Sequence, residues 1–386
     1  MPSATRADLL IVGAGVAGAR CARALRRRGF DGTIVLVGDE PTPPYNRPPL
    51  SKELLLLDAP PSEDLLLAEP ASWYERRGVE LRSGVAVRSI DPAARVASLD
   101  DGTEIGFGGC LLATGAAPRP LAVPGGERAL LLRTLTDARA LRAAADRLRG
   151  APAVVVGGGF IGVEVASALA RRGMRPTLVE MGGQLWGGQL GALLAGWAAE
   201  RLAAAGVEVR LGVTVSRIDD RGAWVGDRHL AAEIIVAGVG VRPRDELARA
   251  AGLAASDGID TDAAGRTSAG GVWAAGDVAR VAGRRVEHWH AAREAGERVA
   301  GSILGEPTPV VPVPWVFSEV GGTPLDVIGD PAAADAERWI GDRVVVATAD
   351  GRVVGLGVLG GAIRPVRARE LVARGASIEE VGSALR

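Results

Sequence analysis

The sequence predicts an α/β chain with two strand–glycine turn–helix units and a smaller α+β region after them. Three observations carry this expectation. An apolar strand runs into Gly13, Gly15 and Gly18 and straight on into an Ala-rich helix within residues 8–25. Residues 153–173 repeat the same grammar with Gly157, Gly159 and Gly162. Beyond Pro307, Pro309, Pro312 and Pro314 the pattern changes to short strands at 343–348 and 353–359, joined by an Asp350-Gly351 turn and followed by a terminal helix.

Bulk properties bound the function. A chain of 386 residues is too long for one ordinary core and points to two or three domains. The formal net charge of -1 offers no global attraction to nucleic acid. No apolar run approaches the roughly 18 residues needed to span a bilayer, and the N-terminal apolar stretch leads into a glycine motif rather than a signal-peptide cleavage site. A soluble cytoplasmic protein is the expectation. Cys21 and Cys110 lie far apart and outside any C-x-x-C spacing, which argues against a disulfide framework or a cysteine metal site and for two small core residues. Lys52 is the only lysine in a chain whose basic charge is otherwise arginine, and that singles it out.

Between the units, residues 41–70 form a proline-rich connection too long for an ordinary loop and so a candidate functional one. Residues 79–115 and 207–236 alternate apolar and polar positions, as antiparallel layers do. A glycine-rich stretch, 270–280, leads into a helix at about 290–304.

Each G-x-G-x-x-G has a physical reading: the first glycine makes the tight turn, the second lets backbone approach a pyrophosphate, and the third lets helix pack on strand. The helix N-terminus then faces the phosphates. After the first cradle the second strand, 33–37, is followed by Asp39 and Glu40, and Glu40 is assigned to the ribose diol. The second cradle's second strand ends in Glu180, about 18 residues past Gly162, where a carboxylate accepts both ribose hydroxyls. Two complete Rossmann-type cradles predict two dinucleotide cofactors.

The segments PYNRPPLSK (44–52), LLATGAAPRPL (111–121), GGGFIGVEVAS (157–167), GVGVRP (238–243), WAAGDVAR (273–280) and VEHWHAA (286–292) occur in that order. On them the chain resembles the FAD-dependent pyridine nucleotide–disulfide reductase superfamily, and within it the ferredoxin reductases of bacterial oxygenase systems. The resemblance covers residues 8 to about 305. It implies an FAD-binding domain of residues 1–115 and 241–310, an NAD-binding domain, 116–240, inserted in it, and a C-terminal interface domain, 311–386. It implies that Gly276 and Asp277 close the FAD site, that Thr114 and Gly115 mark where the chain leaves that domain, and that Gly240 belongs to the cofactor-binding set. Glu287, His288 and Trp289 would sit beside the isoalloxazine. Lys52 would pair with Glu164 near the flavin, orienting the nicotinamide carboxamide and stabilising charge on the ring; Tyr45 and Arg47 share that loop. A buried carboxylate at Glu164 requires a cation.

The helix of the first cradle lacks the paired cysteines of disulfide reductases, so electrons are expected to leave for an external acceptor. Where the family carries an aromatic-Ser-Asp-Gln segment, this chain keeps Ser318 and Glu319 but has Val320, and Arg244 replaces the family's asparagine. The loop after Glu180, MGGQLWGGQLG, is rich in glycine and carries no Arg or Lys through Leu190, which favours NADH over NADPH.

The resulting expectation is an NADH-dependent FAD reductase feeding an iron–sulfur carrier, a ferredoxin serving an oxygenase or else rubredoxin. The alternative is a flavoenzyme acting directly on a small molecule or oxygen. A basic cluster of Arg364, Arg367, Arg369 and Arg374 is the expected docking surface for an acidic carrier.

Overall fold

The leading apolar run forms strand Arg6–Val12 in the computed structural model, which describes residues 6–385. The chain makes two compact units. Met1–Asn46, Ser62–Ala117 and Arg242–Pro312 build the first; Arg47–Pro61, Pro118–Val241 and Val313–Arg386 build the second.

In the first unit, Arg6–Val12 lies inside a parallel sheet. Ile34–Gly38 and then Val79–Ser83 extend it on one side, and Glu104–Leu112 lies on the other. Val272–Ala274 returns to pair with the end of Glu104–Leu112, at Cys110–Leu112. Successive side chains point to opposite faces. Leu9 and Ile11 therefore share one core with helices Val16–Arg27 and Trp289–Ile303, while Leu10 and Val12 share a second core with Ile90, Ala97 and Leu99 of an antiparallel layer. The two helices meet through small residues, Ala17, Cys21 and Ala24 against Ala292, Ala295 and Val299.

The expectation of one antiparallel layer over 79–115 needs correcting. Val79–Ser83 is parallel to its neighbour, and Glu104–Leu112 pairs antiparallel with Val96–Leu99 only at its start. Its burial explains the change: exposure alternates over Glu104–Gly108 and then Gly109–Leu112 is continuously buried. A strand covered on both faces loses alternation. The same correction holds for 207–236. Glu208–Leu211 and Ile234–Ala237 are parallel members of a second sheet, and only Val215–Asp219, Gly222–Val225 and Arg228–Ala231 form an antiparallel set.

The second unit repeats the architecture, with strand order 208–211, 175–180, 152–156, 234–237 and helix Phe160–Arg171 following the second cradle. Helix Leu135–Arg147 begins with a Thr134/Asp137 capping box. The C-terminal region is a five-stranded antiparallel sheet in the order 315–320, 323–329, 352–359, 344–349, 336–340. Asp350 and Gly351 both have positive φ, 49° and 72°, as a tight two-residue hairpin turn requires. The expected terminal helix is in fact two, Pro365–Ala373 and Ile378–Ala384. Gly375 turns the chain between them, and a Ser377/Glu380 capping box starts the second.

Candidate functional site

The first cradle is assembled as its spacing requires. Gly13 has φ 113°, and a side chain there would run into the Ala113 carbonyl; one at Gly18 would strike the Gly13 carbonyl. A Cβ at Gly15, by contrast, would enter open space. That opening lies ahead of the N-terminus of helix Val16–Arg27, where unpaired amides and the helix dipole favour a phosphate. Gly276 packs against the first turn of this helix, 2.9 Å from a virtual Cβ to Ala17 Cβ, so the Gly276-Asp277 turn borders the cradle. Thr114 donates from Oγ1 to the Arg244 carbonyl at 2.7 Å, and the Arg244 amide donates to the Gly115 carbonyl at 2.9 Å.

The two acids after the second strand have separate partners. Glu40 accepts a hydrogen bond from the Tyr45 hydroxyl at 2.6 Å, whereas Asp39 pairs with Arg244 at 2.7 Å. Glu287 lies against Arg285, which also reaches Asp257 at 3.0 Å. Trp289 donates from Nε1 to Asn46 Oδ1 at 3.1 Å, which ties the start of the returning helix to the end of the first segment. Burial lowers the His288 imidazole from its ordinary value, and the nearby Asp277 carboxylate pulls the other way. Cys21 and Cys110 belong to opposite cores of the sheet, and burial pushes both thiols up to about 12.

The second cradle follows the same rules. Gly157 has φ 105° against the Gly238 carbonyl, Gly162 lies on the Gly157 carbonyl, and Gly159 faces almost open space. Gly240 turns the chain with φ 95°, its carbonyl accepting from the Arg119 amide at 2.9 Å. Among the described residues Glu180 is held by backbone alone: Gly158 N–H donates to one oxygen at 2.5 Å and Gly182 N–H to the other at 2.6 Å. A carboxylate oxygen has more than one acceptor direction, so both oxygens retain capacity for ribose hydroxyls. The loop after it buries Trp186 in a left-handed backbone conformation, φ 59°, with its ring 5.9 Å from that of Phe160.

The same unit contains the Lys52–Glu164 pair. Lys52 Nζ is 2.8 Å from Glu164 Oε1, and the side chains are only 11% and 4% exposed. Ser318 donates to the same oxygen at 2.6 Å, Ser51 donates to Oε2, and the Phe317 ring lies 5.3 Å from the ammonium. The segment carrying Lys52 is clamped by two arginines. Arg142 donates to the carbonyls of Leu54, Leu57 and Asp58, and buried Arg172 donates to that of Leu55 while pairing with Asp146. Arg47 donates to the Arg133 carbonyl at 2.6 Å. Ser51, Arg142 and Arg172 went unmarked in the sequence. The only available signal was adjacency to Lys52 for the serine, because the arginines act on carbonyls more than 80 residues away.

Val320, at the family's glutamine position, is fully buried in the core, and Glu319 pairs with Arg171 at 3.1 Å. Three of the four C-terminal arginines have partners. Arg367 pairs with Glu370, Arg374 pairs with Glu380, and Arg369 donates to the Val313 carbonyl. Helical spacing and the capping box bring those acids alongside. Among the described residues no helix is long and apolar enough to cross a membrane.

Comparison with known proteins agrees with this architecture. The pyridine nucleotide-disulphide oxidoreductase family model matches residues 7–296. The biphenyl dioxygenase system ferredoxin–NAD(+) reductase component of Paraburkholderia xenovorans (strain LB400) is 36% identical over 83% of this chain and 81% of its own. The anthranilate 1,2-dioxygenase system ferredoxin–NAD(+) reductase component of Burkholderia cepacia is 35% identical over 95% and 94%. Among solved structures, the ferredoxin reductase for the CYP199A2 system from Rhodopseudomonas palustris superposes with a TM-score of 0.88 at 30% identity, covering 97% of this chain and 98% of that one. The covalent putidaredoxin reductase–putidaredoxin complex gives a TM-score of 0.89 at 28% identity over 98% and 96%. With both cradles intact and the match running through them, the chain belongs to the pyridine nucleotide-disulphide oxidoreductase family.

Proposed function

We propose that this protein is an NADH-dependent FAD oxidoreductase that delivers electrons to an external iron–sulfur carrier, a ferredoxin serving an oxygenase. The observation that carries the reading is the placement of the two cysteines on opposite faces of one sheet, in a chain that keeps both cradles open. No dithiol can form between them, so the protein has no internal disulfide to reduce and its electrons pass outward.

The residues divide between two nucleotides. Gly13, Gly15, Gly18, Glu40, Thr114, Gly115, Gly276, Asp277, Glu287 and Trp289 hold FAD within residues 1–115 and 241–310. Gly157, Gly159, Gly162, Glu180 and Gly240 hold NADH within residues 116–240, and residues 311–386 form the interface domain. FAD, when bound, accepts a hydride and releases electrons singly or in pairs. Lys52 and Glu164 orient the nicotinamide carboxamide, and the ammonium stabilises negative charge on the ring; Arg47 supports their loop. Glu180 accepts the ribose hydroxyls and repels a 2′-phosphate. We place the reaction in the cytoplasm.

The test is rapid mixing of the yellow holoprotein with NADH, followed by a panel of ferredoxins, rubredoxin, small quinones and oxygen. Fast bleaching, then re-oxidation by a ferredoxin faster than by any small molecule, is the expected result. Re-oxidation by a small molecule alone would replace the carrier by a direct substrate. No bleaching would remove the reductase reading.

A further inference from the structure

Glu164 poses a problem that the lysine alone does not solve. An ionised carboxylate offers about four acceptor directions, and this one is only 4% exposed. Taken out of water, it is held in place by the donors that occupy those directions, and three are supplied here. One direction on Oε1 receives Lys52, the other on Oε1 receives the Ser318 hydroxyl at 2.6 Å, and Oε2 receives the Ser51 hydroxyl. Both serines are themselves buried, at 3% and 4% exposure.

The two hydroxyls come from different parts of the chain. Ser51 is the neighbour of Lys52, on the segment that Arg142 and Arg172 clamp. Ser318 comes from strand Trp315–Val320 at one end of the C-terminal sheet, where Leu325 sets its register. Its neighbour Phe317 presents its ring to the ammonium at 5.3 Å. That strand therefore supplies a donor to one member of the pair and an aromatic face to the other.

We propose that Ser318 is a positioning residue for hydride transfer. It shares Glu164 Oε1 with Lys52 and so fixes where the ammonium sits, and the C-terminal sheet is thereby part of the reductive site as well as an interface. The inference rests on the assignment of Lys52 and Glu164 to NADH-dependent flavin reduction. A hydroxyl bonded to an ionised acceptor is stronger than one bonded to a neutral group, so its loss is felt at Lys52 rather than spread over the fold.

The test uses the holoenzyme and four variants: Ser318→Ala, Ser318→Thr, Glu164→Gln and the Ser318→Ala/Glu164→Gln double. Three quantities are read: the rate of flavin bleaching by bound NADH, the affinity for NAD+ by calorimetry, and the flavin midpoint potential. Ser318→Ala should slow bleaching about tenfold, the scale of one hydrogen bond to a charged group. It should leave NAD+ affinity within about twofold and move the potential to more negative values, because the ammonium no longer sits at a fixed place. Ser318→Thr keeps a hydroxyl and should recover most of both effects. In the Glu164→Gln background, Ser318→Ala should add little, since its action passes through the carboxylate. The proposal is overturned if Ser318→Ala bleaches at the parent rate, if its effect is the same in both backgrounds, or if the potential stays fixed while only thermal stability falls. Failure of the underlying reading looks different, because the unmodified protein would then not be bleached by NADH.

Discussion

The two nucleotide cradles begin with the same glycine spacing and are completed by different means. In the first, a hydroxyl and a guanidinium engage the acids after the second strand: Tyr45 on Glu40 and Arg244 on Asp39. Much later in the chain Gly276 is set against the cradle helix, and Trp289, 243 residues beyond Asn46, against Asn46. In the second, Glu180 is held by two backbone amides, that of Gly182 in the following loop and that of Gly158 in the cradle turn, and a loop of glycines follows. A site closed by distant side chains suits a nucleotide that stays. A site made of backbone amides beside a glycine-rich loop suits one that enters and leaves each turnover. The contrast lies in the kind of binding group: the Tyr45 and Arg244 side chains must be locked in place by folding, whereas the amides that hold Glu180 belong to the cradle turn and the loop beside it.

The largest effect that would break this contrast comes from the first glycine of each cradle. Gly13→Val forces a β-branched residue into φ 113° against the Ala113 backbone, and Gly157→Val does the same against Gly238. Each such conformation costs on the order of 1–3 kcal/mol before any clash is counted. Gly13→Val should yield protein without yellow colour. Gly157→Val should remain yellow while bleaching by NADH falls at least about a hundredfold. Flavin content and stopped-flow bleaching check both, and loss of flavin from both variants would show that the sites are not separately built.

The acids come next. Glu180→Ala should lower the preference for NADH over NADPH by about tenfold, equivalent to roughly 1.4 kcal/mol, with flavin content unchanged. Glu40→Ala should do the reverse, reducing flavin retention on dilution without altering coenzyme preference. Steady-state kinetics with both coenzymes, beside flavin release measured by fluorescence, separates the two. An unchanged preference in Glu180→Ala would return that carboxylate to a purely structural role in the loop.

The smallest effect is a pH dependence seated in the first unit. His288 is lowered from its ordinary 6.5 by burial. The unfolded chain therefore takes up the proton first as pH falls. The stabilising contribution is complete above 6.5 and is lost as pH drops through the lowered folded value. His288→Gln should flatten the fall of Tm below that point by about 1–3 °C. Thermal unfolding of parent and variant across the acidic range is the measurement, and parallel curves would remove the histidine from the account.

Much of the molecule was legible without coordinates, because the signals were local. A glycine triplet between an apolar strand and an Ala-rich helix specifies a cradle from consecutive residues, and Glu180 follows at a set distance because strand and turn lengths leave little freedom. Even the Lys52–Glu164 pair left a trace in the solitary lysine. Tertiary structure alone decided what holds that pair. Ser51, Arg142 and Arg172 are ordinary residue types at unremarked positions, Ser318 was marked only as part of a family segment, and only folding brings 318 to 164 or 172 to 55. It also decided that half of each alternating stretch runs parallel, since parallel pairing depends on distant neighbours. And it set the partners of the C-terminal arginines, because a charge count along the chain does not reveal which acids helical spacing and a capping box will place beside Arg367 and Arg374.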